Sequence, residues 1–149
     1  MAITTAMLTT FKRELFKATH NFLLSGGNTF RFALIKTGMA GTYGASSTAY
    51  TDITGNTDEV TGTGYTVKGP SLTRIDPTTS GTTAFVDFAD VTLTTATITA
   101  RGGMLYDDTP SGDPGCSVHD FGADKTASGG DFVIQFPAAD ASNAILRIA

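Results

Sequence analysis

The side chains able to do chemistry in this chain of 149 residues are few and widely spaced. Cys116 and His119 have a Cys-x-x-His spacing that suits zinc, but two ligands do not close a tetrahedral site and no second Cys/His pair follows. The other histidine, His20, falls at the end of a helical pattern, far from any serine or cysteine elbow; no Gly-x-Ser-x-Gly occurs. His119 adjoins Asp120, and neighbouring side chains on a strand point to opposite faces, so the two cannot act as base and orienter. The run from Gly62 to Gly69 is glycine-rich around Lys68. Its lysine is misplaced for a phosphate loop, and no helix follows to present its N-terminus. Asp107, Asp108 and Asp113 lie within seven residues and could in principle face calcium, yet the loop lacks the calcium-binding register and a terminal bidentate glutamate. They are expected to be hairpin-loop residues at a solvated or subunit-facing tip. Asp58 and Glu59 are adjacent and Asp87 and Asp90 sit at a strand end, neither of which resembles a glycosidase pair across a cleft. The chain has no tryptophan for a sugar platform. No catalytic residue, metal ligand or cofactor site is therefore expected, and the chain is not read as an enzyme.

The elements around these residues are mostly strands. Hydrophobic residues make up 40% and charged residues 16%, the latter well below the usual quarter. Threonine, the commonest residue, supplies the missing polarity; it is β-branched and suits the outer face of a sheet. Met7, Leu8, Phe11, Leu15, Ala18 and Phe22 recur at helical spacing, which predicts one amphipathic helix over about residues 4–22, capped by Thr4 or Thr5. Lys12, Arg13 and Lys17 fall on its solvated side. From about residue 28 onward the period changes to two. Phe30–Leu34, Glu59–Val60, Gly64–Lys68, Ser71–Ile75, Thr82–Phe88, Val91–Ala100, Gly103–Tyr106, Cys116–Phe121, Phe132–Phe136 and Ala144–Ile148 read as β segments. The run Asp76–Gly81 reads as a turn, and a parity switch between Leu93 and Ile98 predicts a bulge near Thr94–Thr95. The fold class expected is mainly β: an antiparallel β-sandwich or small barrel of about eight to nine strands with one N-terminal amphipathic helix, in a single domain over 1–149.

Charge and cysteine usage narrow the partners. A formal net charge of −4 at pH 7 and scattered bases argue against nucleic acid. One cysteine permits no internal disulfide, as in proteins assembled in a reducing cytoplasm. The opening MAITTAMLTTFKREL lacks the pattern of a secretory signal, and no apolar run of about 20 residues is present, so neither export nor a membrane partner is expected. The stretch 38–57 exceeds the usual loop length. With Tyr43 and Tyr50 as amphipathic anchors, it is expected to form an interface. Phe11 and Leu15 on the helix join them as candidate interface residues, although a helix stripe covering its own sheet is the simpler expectation.

The blocks MAITTAM…FKRELF…HNF, GNTFRFALIKT, TDITGNTDEVTGTGYT, SGTTAFVDFADVTLTTATITARGGMLYDD and FPAADASNAILRIA together resemble a family of small tailed-phage virion proteins. The likeness spans almost the whole chain. Members are described variously as virion structural, head-decoration or tail-fibre-like proteins. The resemblance implies a place in the virion after assembly in the host cytoplasm. Its partners would be the major capsid protein or other virion proteins, and it carries no catalytic residues. A decoration (cement) protein bridging capsid subunits, working as a homo-oligomer with a trimer as first choice, is the leading expectation. A tail, collar or fibre component that binds a tail protein or host surface is the second, and a polysaccharide hydrolase a distant third.

Overall fold

In the computed structural model, which describes residues 1–149, alternating apolar residues build seven strands and two short helices. They are β1 (Ala6–Met7), α1 (Thr9–Leu15), β2 (Phe30–Lys36), α2 (Thr51–Gly55), β3 (Arg74–Ser80), β4 (Thr83–Phe88), β5 (Val91–Asp107), β6 (Gly115–Ile134) and β7 (Leu146–Ile148). The protein is mainly β, with two antiparallel sheets ordered β1-β6-β5-β2 and β3-β4-β7, neither closed into a barrel. One apolar core serves both sheets. Phe30 of β2 lies 5.8 Å from Phe88 of β4, ring centre to ring centre, and Phe136 lies 5.6 Å from Phe88.

The strand count is lower than eight or nine for two physical reasons. The segments Cys116–Phe121 and Phe132–Phe136 belong largely to one long strand, because glycines absorb what look like breaks. Asp120 faces Gly102 and Lys125 faces Ala100, so residues 121–124 bulge out of the ladder, with Gly122 at φ 76°. The segments around Glu59, Thr63 and Ser71 contribute only isolated bridges, two of them along the outer edge of β2. On β5 the register slips between Leu93 and Ala96, where Thr95 takes φ 52°, at the place the parity switch marks. Residues 76–80, expected to be a turn, instead continue β3 to Ser80, and the reversal comes at Gly81 with φ 58°. Pro77 is accommodated because the register skips between Ile75 and Thr78 on an edge strand, where no ladder donor is needed.

The N-terminal helix is shorter than 4–22. Met7 belongs to a strand, pairing with Ser117 of β6, so the helix cannot start before Leu8. Thr4 and Thr5 do not cap it: the Thr4 N–H donates to the Tyr43 carbonyl, and the Thr5 hydroxyl accepts from the Asp120 N–H. Ala18 at φ 52° marks the end of the turn that follows α1. Leu8 and Phe11 are buried, Met7, Leu15 and Phe22 half-buried, and Ala18 is exposed. A second helix, α2, lies inside the long 38–57 stretch, which folds onto its own core through Tyr43, Tyr50 and Ile53.

Close backbone contact between β2 and β5 depends on glycine. A Cβ on Gly103 would lie 2.1 Å from Cε1 of Phe32 and 2.9 Å from the Ala33 carbonyl oxygen. The Phe32 ring therefore rests directly on β5, and this seats the aromatic cavity described below.

Candidate functional site

At the junction of α1, β2 and β5, a histidine is enclosed between two acids. His20 Nδ1 is 2.9 Å from Asp107 Oδ2, and Nε2 is 2.9 Å from Glu14 Oε2. The His20 and Asp107 side chains are both 0% exposed. Phe11, Phe22 and Phe30 surround the imidazole at centroid distances of 5.0, 6.3 and 6.5 Å. Burial opposes a charge here, but the bonds to Asp107 and then Glu14 outweigh it and hold His20 above its ordinary pKa. In its protonated form both ring nitrogens donate, one to each acid, and the carboxylates occupy both positions from which the ring could act. Asp107 is filled as well: it accepts from Asn28 Nδ2 at 2.6 Å and from the Thr109 N–H at 3.1 Å.

The acidic loop is thus not a set of solvated carboxylates. Asp107 is a buried structural acid closing β5. Asp108 meets Arg31 Nε at 2.7 Å and Lys68 Nζ at 3.0 Å, and Asp113 lies 3.5 Å from the same Nζ. Burial works against the ionised Asp108, yet Arg31 and Lys68 bring its carboxyl below the usual range. No three His, Cys, Asp or Glu side chains are grouped to hold a metal ion.

The expected interface residues fall mostly inside. Phe11, Tyr43 and Tyr50 are buried, so they are not free surface anchors. The tyrosines are drawn inward by their hydroxyls, which find acceptors there. Tyr43 donates to Asp58 Oδ2 at 2.6 Å, and Tyr50 donates to Glu59 Oε2 at 2.5 Å while stacking 4.8 Å from Tyr106. Tyr65 donates to the other Glu59 oxygen at 2.8 Å. The adjacent pair Asp58–Glu59 therefore anchors three tyrosines, Tyr43 on Asp58 and Tyr50 and Tyr65 on Glu59. Leu15 remains half-buried, at a small apolar groove shared with Phe22, Phe85 and Leu146. In the Gly62–Gly69 loop, a Cβ on Gly69 would lie 2.0 Å from the Phe32 carbonyl oxygen, so this glycine serves close packing on β2. Cys116 is wholly buried, which pushes its thiol pKa up and removes its reactivity. Asp87 has one buried carboxylate oxygen without a partner, and burial raises its pKa.

An opening of about 720 Å³ lies between β6 and the segment that leads to β7. Phe32, Phe121, Phe132 and Phe136 line its apolar side, and His119, Thr126, Gln135 and the charged Asp124, Lys125, Asp131 and Arg147 line the rest. The Phe32 ring lies 6.0 Å from His119, 6.4 Å from Phe121 and 5.9 Å from Phe136. His119 Nε2 is 2.8 Å from Ser117 Oγ. Burial brings the His119 pKa down to about 4, so the imidazole is neutral at pH 7. This is not a hydrolytic dyad: Ser117 is only 2% exposed, and no carboxylate is bonded to the imidazole. Asp120, its chain neighbour, pairs instead with Arg101 at 3.0 Å. An opening with one phenylalanine-rich side and one polar, charged side is suited to receiving an amphipathic group.

Sequence reasoning missed this cavity because Phe32 and Phe136 are distant in the chain and meet only through the sheets. The alternation of Phe132, Ile134 and Phe136 was its sole local signal.

Compared with known proteins, the chain matches no family model, no curated protein and no solved structure.

Proposed function

We propose that this chain is a structural subunit of a tailed-phage particle: a head decoration protein that bridges major capsid subunits and stabilises the shell. In this reading the two sheets form a sandwich body that presents flat, charge-poor surfaces to its neighbours. It works as a homo-oligomer, with no cofactor, nucleic acid or membrane partner. The observation that carries the reading is how its side chains are used. His20, Asp107, Asp58 and Cys116 are buried in internal contacts and the half-buried Glu59 is held by two tyrosines, whereas Phe16, Leu24, Val67, Val133 and Ile148 stand in water. Exposed apolar groups on a protein whose His20, Asp58, Asp107 and Cys116 are held internally favour contact over catalysis. The likeness of the FPAADASNAILRIA and DEVTGTGYT blocks to virion proteins supports the same conclusion. Many such contacts, individually weak, gain strength by repetition over a shell.

The test is reconstitution. Purified protein added to particles that lack it should bind and raise the temperature at which the shell releases its genome. Particles that neither bind it nor change their stability would refute the decoration role. Binding restricted to the tail would assign the chain to the tail, collar or fibre instead.

A further inference from the structure

Residues 137–149 leave the end of β6 and finish in β7, the outer strand of the second sheet. β7 is held to β4 by three register pairs, Ala84 with Ile148, Phe85 with Arg147 and Val86 with Leu146. Beyond that ladder, the segment meets one carboxylate at each end. At its root the Phe136 N–H donates to Asp90 Oδ1 at 2.7 Å, and just before β7 the Ile145 N–H faces Asp87. Its other hydrogen bonds are internal: Asp140 Oδ1 accepts from the Ser142 and Asn143 amides, each at 2.8 Å, and the Arg147 guanidinium donates to the Ser142 carbonyl. The segment thus rests on β4 through a short ladder and two acids.

Asp87 differs from the other buried acids. Asp58 and Asp107 are surrounded by donors, whereas Asp87, 1% exposed, accepts the Phe88 N–H on Oδ1 at 2.8 Å and leaves Oδ2 buried without a partner. No cation pairs with it. On β3, Arg74 is committed to the Leu23, Leu24 and Asn28 carbonyls and Asp76 to the Leu24 amide. On β7, Arg147 turns to Ser142. The charges that do act on Asp87, those of Asp90 and Asp140, have its own sign. Burial therefore raises its pKa and the two acids add to the rise, against partial opposition from the Phe88 and Ile145 amides. A neutral carboxyl in such a dry place costs far less than an unpaired carboxylate.

We propose that Asp87 is a proton-controlled latch for residues 137–149: neutral, its carboxyl lets the segment lie dry on β4, and ionised, it loosens the segment and uncovers the β4 edge at 84–86. Lifting the segment is the response that gives up least. β3 holds β4 by five register pairs, and Phe88 is packed between Phe30 and Phe136 at 5.8 and 5.6 Å, so β4 itself stays in place. Departure of the segment admits water to Oδ2 and takes the Asp140 charge away, which relieves both the burial and one like charge. Local opening of this kind occurs where few bonds hold an element. The bared edge of β4 then presents free backbone donors and acceptors to another strand. Because the folded-state pKa is raised, docking is strongest below ~3.9 and weakens as pH rises through the folded value. The latch does not depend on the virion reading.

NMR of the whole chain tests it by following the Asp87 carboxyl carbon and the β7 amides through one pH titration. Asp87 should titrate above ~3.9. Protection of the β7 amides from hydrogen exchange, corrected for the intrinsic rate, should fall as pH rises through the same midpoint. The full loss should be tenfold for each pH unit by which that midpoint exceeds ~3.9, while the amides that join β2 to β5 keep their protection. Asp87→Asn cannot ionise, so its β7 protection should stay level across the same range. His20 and His119 titrate in both proteins, and the difference between wild type and Asp87→Asn isolates the latch. Asp90→Asn keeps an acceptor for the Phe136 amide but removes a like charge, and it should lower the Asp87 midpoint. An Asp87 midpoint at or below the ordinary value, β7 protection that does not follow it, or an unchanged pH dependence in Asp87→Asn each overturns the inference. So does a loss shared equally by β2 and β5, which would make Asp87 a determinant of the whole fold instead of a latch.

Discussion

Replacing His20 with alanine removes the only cation from the buried cluster that joins α1 to the end of β5. Asp107, 0% exposed, loses its charged partner and keeps only Asn28 and the Thr109 amide. Breaking a buried pair costs about 3–5 kcal/mol, and the two remaining donors place this case near ~3. Loss of ring contacts with Phe11, Phe22 and Phe30 adds about 1 kcal/mol. The expected total of ~4 kcal/mol corresponds to a Tm lowered by roughly 8–16 °C for a chain of this length. The dependence on pH has a definite sign. The folded-state pKa of His20 is raised, so its contribution is full below the unfolded value of about 6.5 and declines as pH rises through the folded value. His119 runs the other way, because its folded pKa is lowered. The discriminating quantity is therefore the difference between wild type and His20→Ala, in which His119 cancels. Urea denaturation of both proteins near pH 6 and near pH 8 measures it, and the difference should shrink at the higher pH. A cost below about 1 kcal/mol, or a difference that grows with pH, would refute the buried imidazolium.

Other outcomes follow from the same structure. Protonating His119 in its wall should cost the fold ~3 kcal/mol between neutrality and about pH 4, read as the difference between wild type and His119→Phe in an acid titration followed by circular dichroism; a difference that does not change with pH would contradict it. Phe11→Ala should destabilise the isolated protein by ~3–5 kcal/mol, since the ring is buried against His20; an unchanged melting temperature with lost particle binding would place the helix face on a partner instead. Gly103→Ala should cost ~1–3 kcal/mol by driving a methyl into Phe32, and a calorimetric Tm equal to wild type would contradict that close contact. Calcium and EDTA should leave the melting curve unmoved, because Asp107, Asp108 and Asp113 face protein donors and cations; saturation at a hundred times a dissociation constant would add about 2.7 kcal/mol and be seen at once.

Local pattern revealed what local physics controls. The period of two in Phe30–Leu34 and Thr82–Phe88 identified β2 and β4, and the parity switch located the slip at Thr95. Features decided by distant partners were not legible. Asp107 reads as a loop residue until His20, 87 positions away, is brought against it. Tyr43 and Tyr50 look like exposed anchors because nothing local shows that Asp58 and Glu59 will accept their hydroxyls in the core. The helix was overextended for the same reason: Met7 fits the apolar stripe, but its pairing with Ser117 takes it into a strand. The bulge at residues 121–124 depends on Gly122 and on pairing with β5, so it hid both the length of β6 and the wall that Phe121 adds to the cavity.

The central claim is that the chain is a repeated component of a phage shell. Its copy number in purified particles, measured by quantitative mass spectrometry against the major capsid protein, tests this most directly. A decoration protein should be present in hundreds of copies, in fixed proportion to the shell subunit. About six to eighteen copies would place it in the tail or collar, and its absence from particles made by cells that express it would contradict the account.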